Sequence, residues 1–138
     1  MIILFKKTFD MKPSLMIDLH LEKKIKSEAK HSAMSYGSGL VDVFSTPAMV
    51  AHMEQTCNEL LLEHMEETET SVGIEICVKH VKATPIGDYI TCKAKITEIV
   101  KNKITFSVES YDSKGKIGEG IHKRAIINKE LFLQGLKN

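Results

Sequence analysis

One change of period organises this chain. Between Thr46 and Met65 apolar residues recur at helical spacing, and from Val72 to about residue 127 they recur at every second position. Projected at about 100° per residue, Met49, Val50, Met53, Cys57, Leu60, Leu61 and Met65 form one broad stripe. His52, Gln55, Glu59, Glu63 and Glu66 collect opposite, as an amphipathic helix requires. Ser45-Thr46-Pro47 is a start signal, a hydroxyl N-cap followed by proline in the first turn. The pattern predicts a helix running to about Glu67. After it, Val72, Ile74, Ile76, Val78 and His80 share one face of a strand, opposite Glu75, Cys77 and Lys79. Thr84-Pro85-Ile86-Gly87-Asp88 reads as a turn, followed by strands around 90–96 and 104–108. Ser113-Lys114-Gly115 makes a hairpin into a last strand at about 117–127. Ahead of the helix, loose alternation through Ile17, Leu19 and Leu21 predicts an edge strand, and Ser-Tyr-Gly-Ser-Gly at 35–39 an irregular crossing or lid. The plan is strand, long helix, then four antiparallel strands, an α+β architecture. Its single sheet has one face for the helix and one left over, which favours dimerisation.

A chain of 138 residues is long enough for one domain with a real core. Residues 1–15 read as an N-terminal extension, with 1–10 as a leader before a start at Met11, and 16–138 as a single domain. A net charge of +1 gives no case for nucleic acid or an anionic membrane as the main partner. Cys57, Cys77 and Cys92 show no close pairing, which suits a reducing compartment and a role as small core hydrophobes. No spacing of His, Cys or acidic residues supports a metal site. The apolar run Met1–Phe5 is too short to span a bilayer and lacks the charge order of a signal peptide. The protein is therefore read as cytoplasmic. Walker, Rossmann and nucleophile-elbow motifs are absent from the sequence, and no cofactor is expected.

Two ionisable residues break the apolar pattern. Glu54 lands inside the helix stripe, between Leu61 and Met65, where a carboxylate must be paired, shifted in pKa, or useful. Thr46 and His64 project onto the same stripe. His80 falls on the apolar face of its strand, away from the lysines. Each alone has a structural reading: a histidine satisfied by a backbone carbonyl, a carboxylate bonded to amides. Together, on elements expected to pack on one another, they also fit an active site.

The order of elements resembles the hotdog fold. Val43-Phe44-Ser45-Thr46-Pro47-Ala48-Met49-Val50, with Glu54 eight residues after Thr46, is similar to thioesterases of the fluoroacetyl-CoA-specific type. So are Thr70-Ser71-Val72-Gly73, His80, Ala83-Thr84-Pro85-Ile86-Gly87 and Gly118-Glu119-Gly120-Ile121-His122-Lys123-Arg124. The resemblance covers roughly residues 16–130. It implies a catalytic set of Thr46, Glu54 and His80, with Gly73 lining the acyl pocket, an acyl-CoA substrate, and a homodimer with the pocket at its interface. Glu54 would attack the thioester carbonyl or activate a water, His80 would polarise or protonate, and Thr46 would orient Glu54. Tyr36 is a candidate for the pocket mouth and Arg124 for the phosphates of coenzyme A. Fluoroacetyl-selective members close the pocket with aromatic side chains before the helix. Tyr36-Gly37-Ser38-Gly39-Leu40 stands there in this chain, which implies a general short-acyl substrate. The rival readings are a non-catalytic acyl-thioester or small-ligand binding protein on the same fold, and an enoyl-thioester hydratase.

Overall fold

A computed structural model describes residues 11–137. Strand β1 (His20–Lys26) leads through a 3-10 turn and a short helix α1 (Ala33–Tyr36) to the long helix α2 (Thr46–Leu62). Four strands follow, β2 (Glu69–His80), β3 (Tyr89–Val100), β4 (Lys103–Asp112) and β5 (Gly115–Asn128), and then helix α3 (Lys129–Gly135). All five strands form one antiparallel sheet in the order β1-β3-β4-β5-β2. The count of strands is the expected one, but the four after the helix are not a simple run. β2 pairs with β5 rather than β3, so it occupies the sheet edge. The 81–88 segment makes this crossing and is pinned beneath the sheet: Phe44 N–H donates to Thr84 O at 2.8 Å, and Thr84 Oγ1 donates to Asp112 at 2.8 Å.

Helix α2 starts as expected. Ser45 is the N-cap, its hydroxyl accepting from Ala48 N–H at 3.1 Å, with Pro47 in the first turn. It stops at Leu62, short of the expected Glu67. The acids at 63, 66 and 67 oppose the helix dipole, and His64 O, turned out of the helix, accepts instead from Lys12 N–H at 3.0 Å. Met65 folds back into the core. Residues 1–10 of the expected extension lie outside the described residues, whereas Met11 and Leu15 pack against the core.

The sheet wraps more of α2 than a single stripe. Met49, Met53, Cys57 and Leu61 are fully buried against Ile90, Cys92, Ile96, Ile104, Phe106 and Ile126, but so are Ala48, His52 and Thr56 on an adjoining row. This corrects the placing of His52 on the solvent face: β1 curls along that flank, and the ring is 1% exposed. Strand β2 departs from its pattern as well. A register shift between Gly73 and Glu75 switches which residues face inward. Glu69 and Ser71 are buried before it, Val78 and His80 are half-buried after it, and residues 73–77 between them are exposed, Ile74 and Ile76 included. No helix among the described residues is long and apolar enough to cross a membrane.

Candidate active site

Thr46, the first residue of α2, and His80, the last of β2, meet where the helix start crosses the strand end. Thr46 Oγ1 lies 2.8 Å from His80 Nδ1. The pair borders a hollow of about 360 Å³, shared with Ser38, Gly39, Val41 and Lys82. His80 Nε2 is buried and has no hydrogen-bond partner. Burial lowers the pKa of His80 below the ordinary imidazole value of 6.5, so the ring is neutral near pH 7. A neutral imidazole takes a hydrogen bond at one nitrogen and gives one at the other. Where Thr46 donates to Nδ1, the hydrogen sits on Nε2, a buried nitrogen without a partner; where Nδ1–H donates to Thr46, Nε2 holds a lone pair.

Glu54 sits elsewhere along the same helix. It borders a second hollow, about 330 Å³, with Ala51, Gln55, Asn58 and Arg124. Eight residues of helix separate it from Thr46, a rise of about 12 Å. The wheel puts Glu54 inside the apolar stripe, whereas the structure puts it at the stripe's margin with its side chain 41% exposed. Its ionic partner is Arg124, whose Nη1 stands 3.7 Å from Glu54 Oε2. Among the described residues no hydrogen bond joins Glu54 to Thr46 or His80.

Arg124 is itself buried, at 7% exposure. Its Nε donates to Ser71 Oγ at 2.8 Å and its Nη2 to Ser71 O at 3.1 Å. Ser71 Oγ in turn donates to Asn58 Oδ1 at 2.6 Å. Arg124 Nη1 lies 3.1 Å from His122 Nε2, and His122 Nδ1 is 2.7 Å from Glu75 O. The guanidinium therefore faces Glu54, Ser71 and His122. Gly73 lies directly against this cluster. A β-carbon there would stand 3.1 Å from Glu54 Oε2, 3.3 Å from His122 Cε1 and 3.5 Å from Arg124 Nη1.

Within one chain, then, the structure brings together Thr46 with His80, and Glu54 with Gly73 and Arg124, as two groups. Tyr36 ends α1 half-exposed and lines neither hollow. Sequence reasoning missed Asn58, and it met Ser71 and His122 only as parts of motifs, not as partners of Arg124. The signal for His122 was present: positions two apart on a strand share a face, so an inward Arg124 carries His122 with it. Among the described residues no three His, Cys, Asp or Glu side chains are grouped to hold a metal ion. Burial pushes the Cys57 and Cys92 thiols up, which keeps both protonated.

A curved antiparallel sheet wrapped round one long helix defines a hotdog-fold domain. The sequence profile of the fluoroacetyl-CoA-specific thioesterases (FlK) matches residues 27–130. The chain belongs to this family of thioester hydrolases. A fluoroacetyl-CoA thioesterase from Streptantibioticus cattleyicolor is 36% identical over 91 residues, a stretch that spans 66% of each protein. A solved structure of the fluoroacetyl-CoA thioesterase FlK superposes with a TM-score of 0.84 at 26% identity, over 90% of this chain and 96% of that one. The hot-dog-like protein from Thermanaerovibrio acidaminovorans shares the fold alone, with a TM-score of 0.80 at 20% identity over 87% and 89% of the two chains.

Proposed function

We propose that this protein hydrolyses a short-chain acyl-CoA thioester to the free acid and coenzyme A, using Thr46, Glu54 and His80. The observation that carries the reading is the Thr46–His80 hydrogen bond of 2.8 Å at the rim of an open hollow, with His80 Nε2 buried and unpartnered. With Thr46 donating to Nδ1, the hydrogen on Nε2 serves the oxygen or sulfur of a thioester, where negative charge develops as the carbonyl is attacked. Glu54 has two ways to act. As a nucleophile it forms an acyl–Glu54 anhydride and expels the thiolate, which takes a proton; water then cleaves the anhydride. As a general base it removes a proton from water, which attacks the carbonyl directly. Solvent ¹⁸O found in the Glu54 carboxylate after turnover in labelled water marks the anhydride route, with water attacking the Glu54 carbonyl carbon.

The reading also calls for a second subunit. The exposed stretch 73–77 lies on the sheet-edge strand, with Ile74 and Ile76 in solvent. Two such edges pairing antiparallel about Ile76 and Cys77 set Gly73 of one protomer opposite the partner subunit's His80. Glu54, which abuts Gly73, then joins the hydroxyl–imidazole pair of the other chain. A homodimer of this kind completes the catalytic set and covers the edge.

The test is free-thiol release from a panel of acyl-CoAs, acetyl to medium chain, with fluoroacetyl and aryl esters included and Glu54→Gln as control. Release confined to short acyl groups and lost in Glu54→Gln is the expected result. A folded dimer with no release above the variant across the panel overturns the reading in favour of a binding protein.

A further inference from the structure

Arginine 124 is held more firmly than a counterion for a half-exposed carboxylate requires. Three separate acceptors fix its guanidinium: Ser71 Oγ, Ser71 O and His122 Nε2, at 2.8, 3.1 and 3.1 Å. The last is the unusual one. Imidazole accepts at one nitrogen only while neutral, and which nitrogen depends on where its single proton sits. His122 is 1% exposed, and its Nδ1 lies 2.7 Å from the carbonyl oxygen of Glu75, which can only accept. The proton is therefore on Nδ1, leaving the lone pair of Nε2 turned to the guanidinium. The ring itself is stacked beside Phe106 with centroids 6.3 Å apart and planes 25° from parallel. Every freedom of this histidine is used to present one acceptor to Arg124.

We infer that His122 is a positioning residue: by taking one N–H of Arg124 Nη1 through its Nδ1-protonated tautomer, it orients the guanidinium so that Nη1 stands toward Glu54 Oε2. This rests on the thioesterase reading insofar as Glu54 acts on substrate. The charged groups facing His122 are Arg124 on its own strand and Glu54 on α2. Phe106 on β4 and the Glu75 carbonyl on β2 complete its surroundings. A ring protonated on both nitrogens would lose the acceptor and set a second cation against Arg124, so the arrangement works only with neutral His122.

Two measurements test it, one independent of turnover. Imidazole ¹⁵N NMR of the wild-type protein is expected to show His122 neutral with hydrogen on Nδ1, and the Arg124 Nη–H signals resolved by slow guanidinium rotation. In His122→Phe, which keeps a ring beside Phe106, those Nη–H signals are expected to collapse. Thiol-release kinetics on the same protein are expected to show kcat lowered about ten-fold with KM for the acyl-CoA held within about two-fold. His122→Gln, whose amide oxygen replaces Nε2 as acceptor, is expected to recover most of the rate. Placed on Arg124→Ala, His122→Phe is expected to change nothing further, since it acts through the missing group. An Nε2-protonated His122 in the wild type, or unchanged kcat in His122→Phe, overturns the inference. So does a full additional loss on Arg124→Ala, which would show that His122 acts independently of the guanidinium. If the wild type releases no thiol, the thioesterase reading falls separately, and the NMR result alone decides whether His122 orients Arg124.

Discussion

The Thr46 hydroxyl and His80 Nδ1 lie 2.8 Å apart, joining the first turn of α2 to the last residue of β2. Because Thr46 is exposed, the bond contributes modestly to stability, about 1 kcal/mol. Its larger effect is on the tautomer and orientation of the imidazole. Thr46→Val preserves shape and removes the hydroxyl. It is expected to lower kcat by about ten- to a hundred-fold, with little change in melting temperature, whereas Thr46→Ser retains most turnover. Steady-state thiol release with a parallel melt checks both.

The same burial that isolates His80 sets the acid side of the pH profile. Desolvation disfavours the charged ring, so the folded pKa lies below 6.5. The neutral form persists as pH falls through 6.5 and is lost only below it. The profile of kcat/KM, which reports the free enzyme, is therefore expected to stay level from pH 7.5 down to about 6.5 and to decline beneath that value. A kcat/KM midpoint above 6.5 would mean that His80 is not the group whose neutral form the reaction needs.

Gly73 is the point at which the backbone of β2 touches the acidic cluster. An added methyl at 3.1 Å from Glu54 Oε2 and 3.3 Å from His122 Cε1 is tighter than ordinary contact, and one neighbour is a buried ring that cannot retreat. Glu54, 41% exposed, is the group free to move. Gly73→Ala is thus expected to fold, with Glu54 displaced from Arg124, and to lose about ten-fold or more in kcat/KM. A dimer of normal stability with reduced turnover is the signature; unchanged turnover would show that the position of Glu54 does not matter.

Local chemistry in this chain was legible, and long-range contact was not. The start of α2 could be read from Ser45 and Pro47 because the cap acts within one turn. Its end could not, because Lys12, whose N–H holds the carbonyl of His64 just past that end, is about fifty residues away in sequence. Alternation located β2 but not the register shift at Gly73, which depends on pairing with β5. Glu54 stood out as a carboxylate on an apolar helix, yet its partner is decided by the reach of Arg124 across the sheet. Ser71 and Asn58 look like ordinary polar residues until the guanidinium is set between them and Glu54. His52 was misplaced because a helical wheel assumes one flat contact, and here a curved sheet covers two adjoining rows.

That misplaced histidine is expected to weaken the fold in acid. Neither ring nitrogen of His52 has a hydrogen-bond partner; the Lys23 backbone lies near enough to favour the charged ring slightly without closing a bond. Burial dominates and lowers its pKa to about 4. The unfolded chain takes up the proton near 6.5 and the folded one does not, so stability is complete above 6.5 and drains as pH falls toward 4. The loss reaches about 3 kcal/mol at pH 4. His31, His80 and His122 are lowered too and act in the same direction. Chemical denaturation of His52→Leu at pH 7 and pH 4.5 is expected to show a clearly smaller difference than wild type. An identical difference would mean that His52 gains a partner or water on protonation.

Two inactive variants can decide whether the site is shared between subunits. In Glu54→Gln every protomer keeps His80, and in His80→Ala every protomer keeps Glu54. If each site draws Glu54 from one chain and His80 from the other, a mixed dimer holds one site with both groups lost and one with both intact. Random exchange makes half of the dimers mixed, so the mixture is expected to recover about a quarter of wild-type turnover, although each parent has almost none. If the two residues act within one chain, every site in the mixture lacks one of them and nothing is recovered. The exposed stretch 73–77 predicts the outcome of a further control. Ile76→Lys puts a charged side chain on the exposed edge strand, which disfavours edge-to-edge pairing. It is expected to shift the protein toward monomer by light scattering and to abolish turnover even though Thr46, Glu54 and His80 are all present. Full activity in a monomeric Ile76→Lys protein would put the complete site inside a single chain.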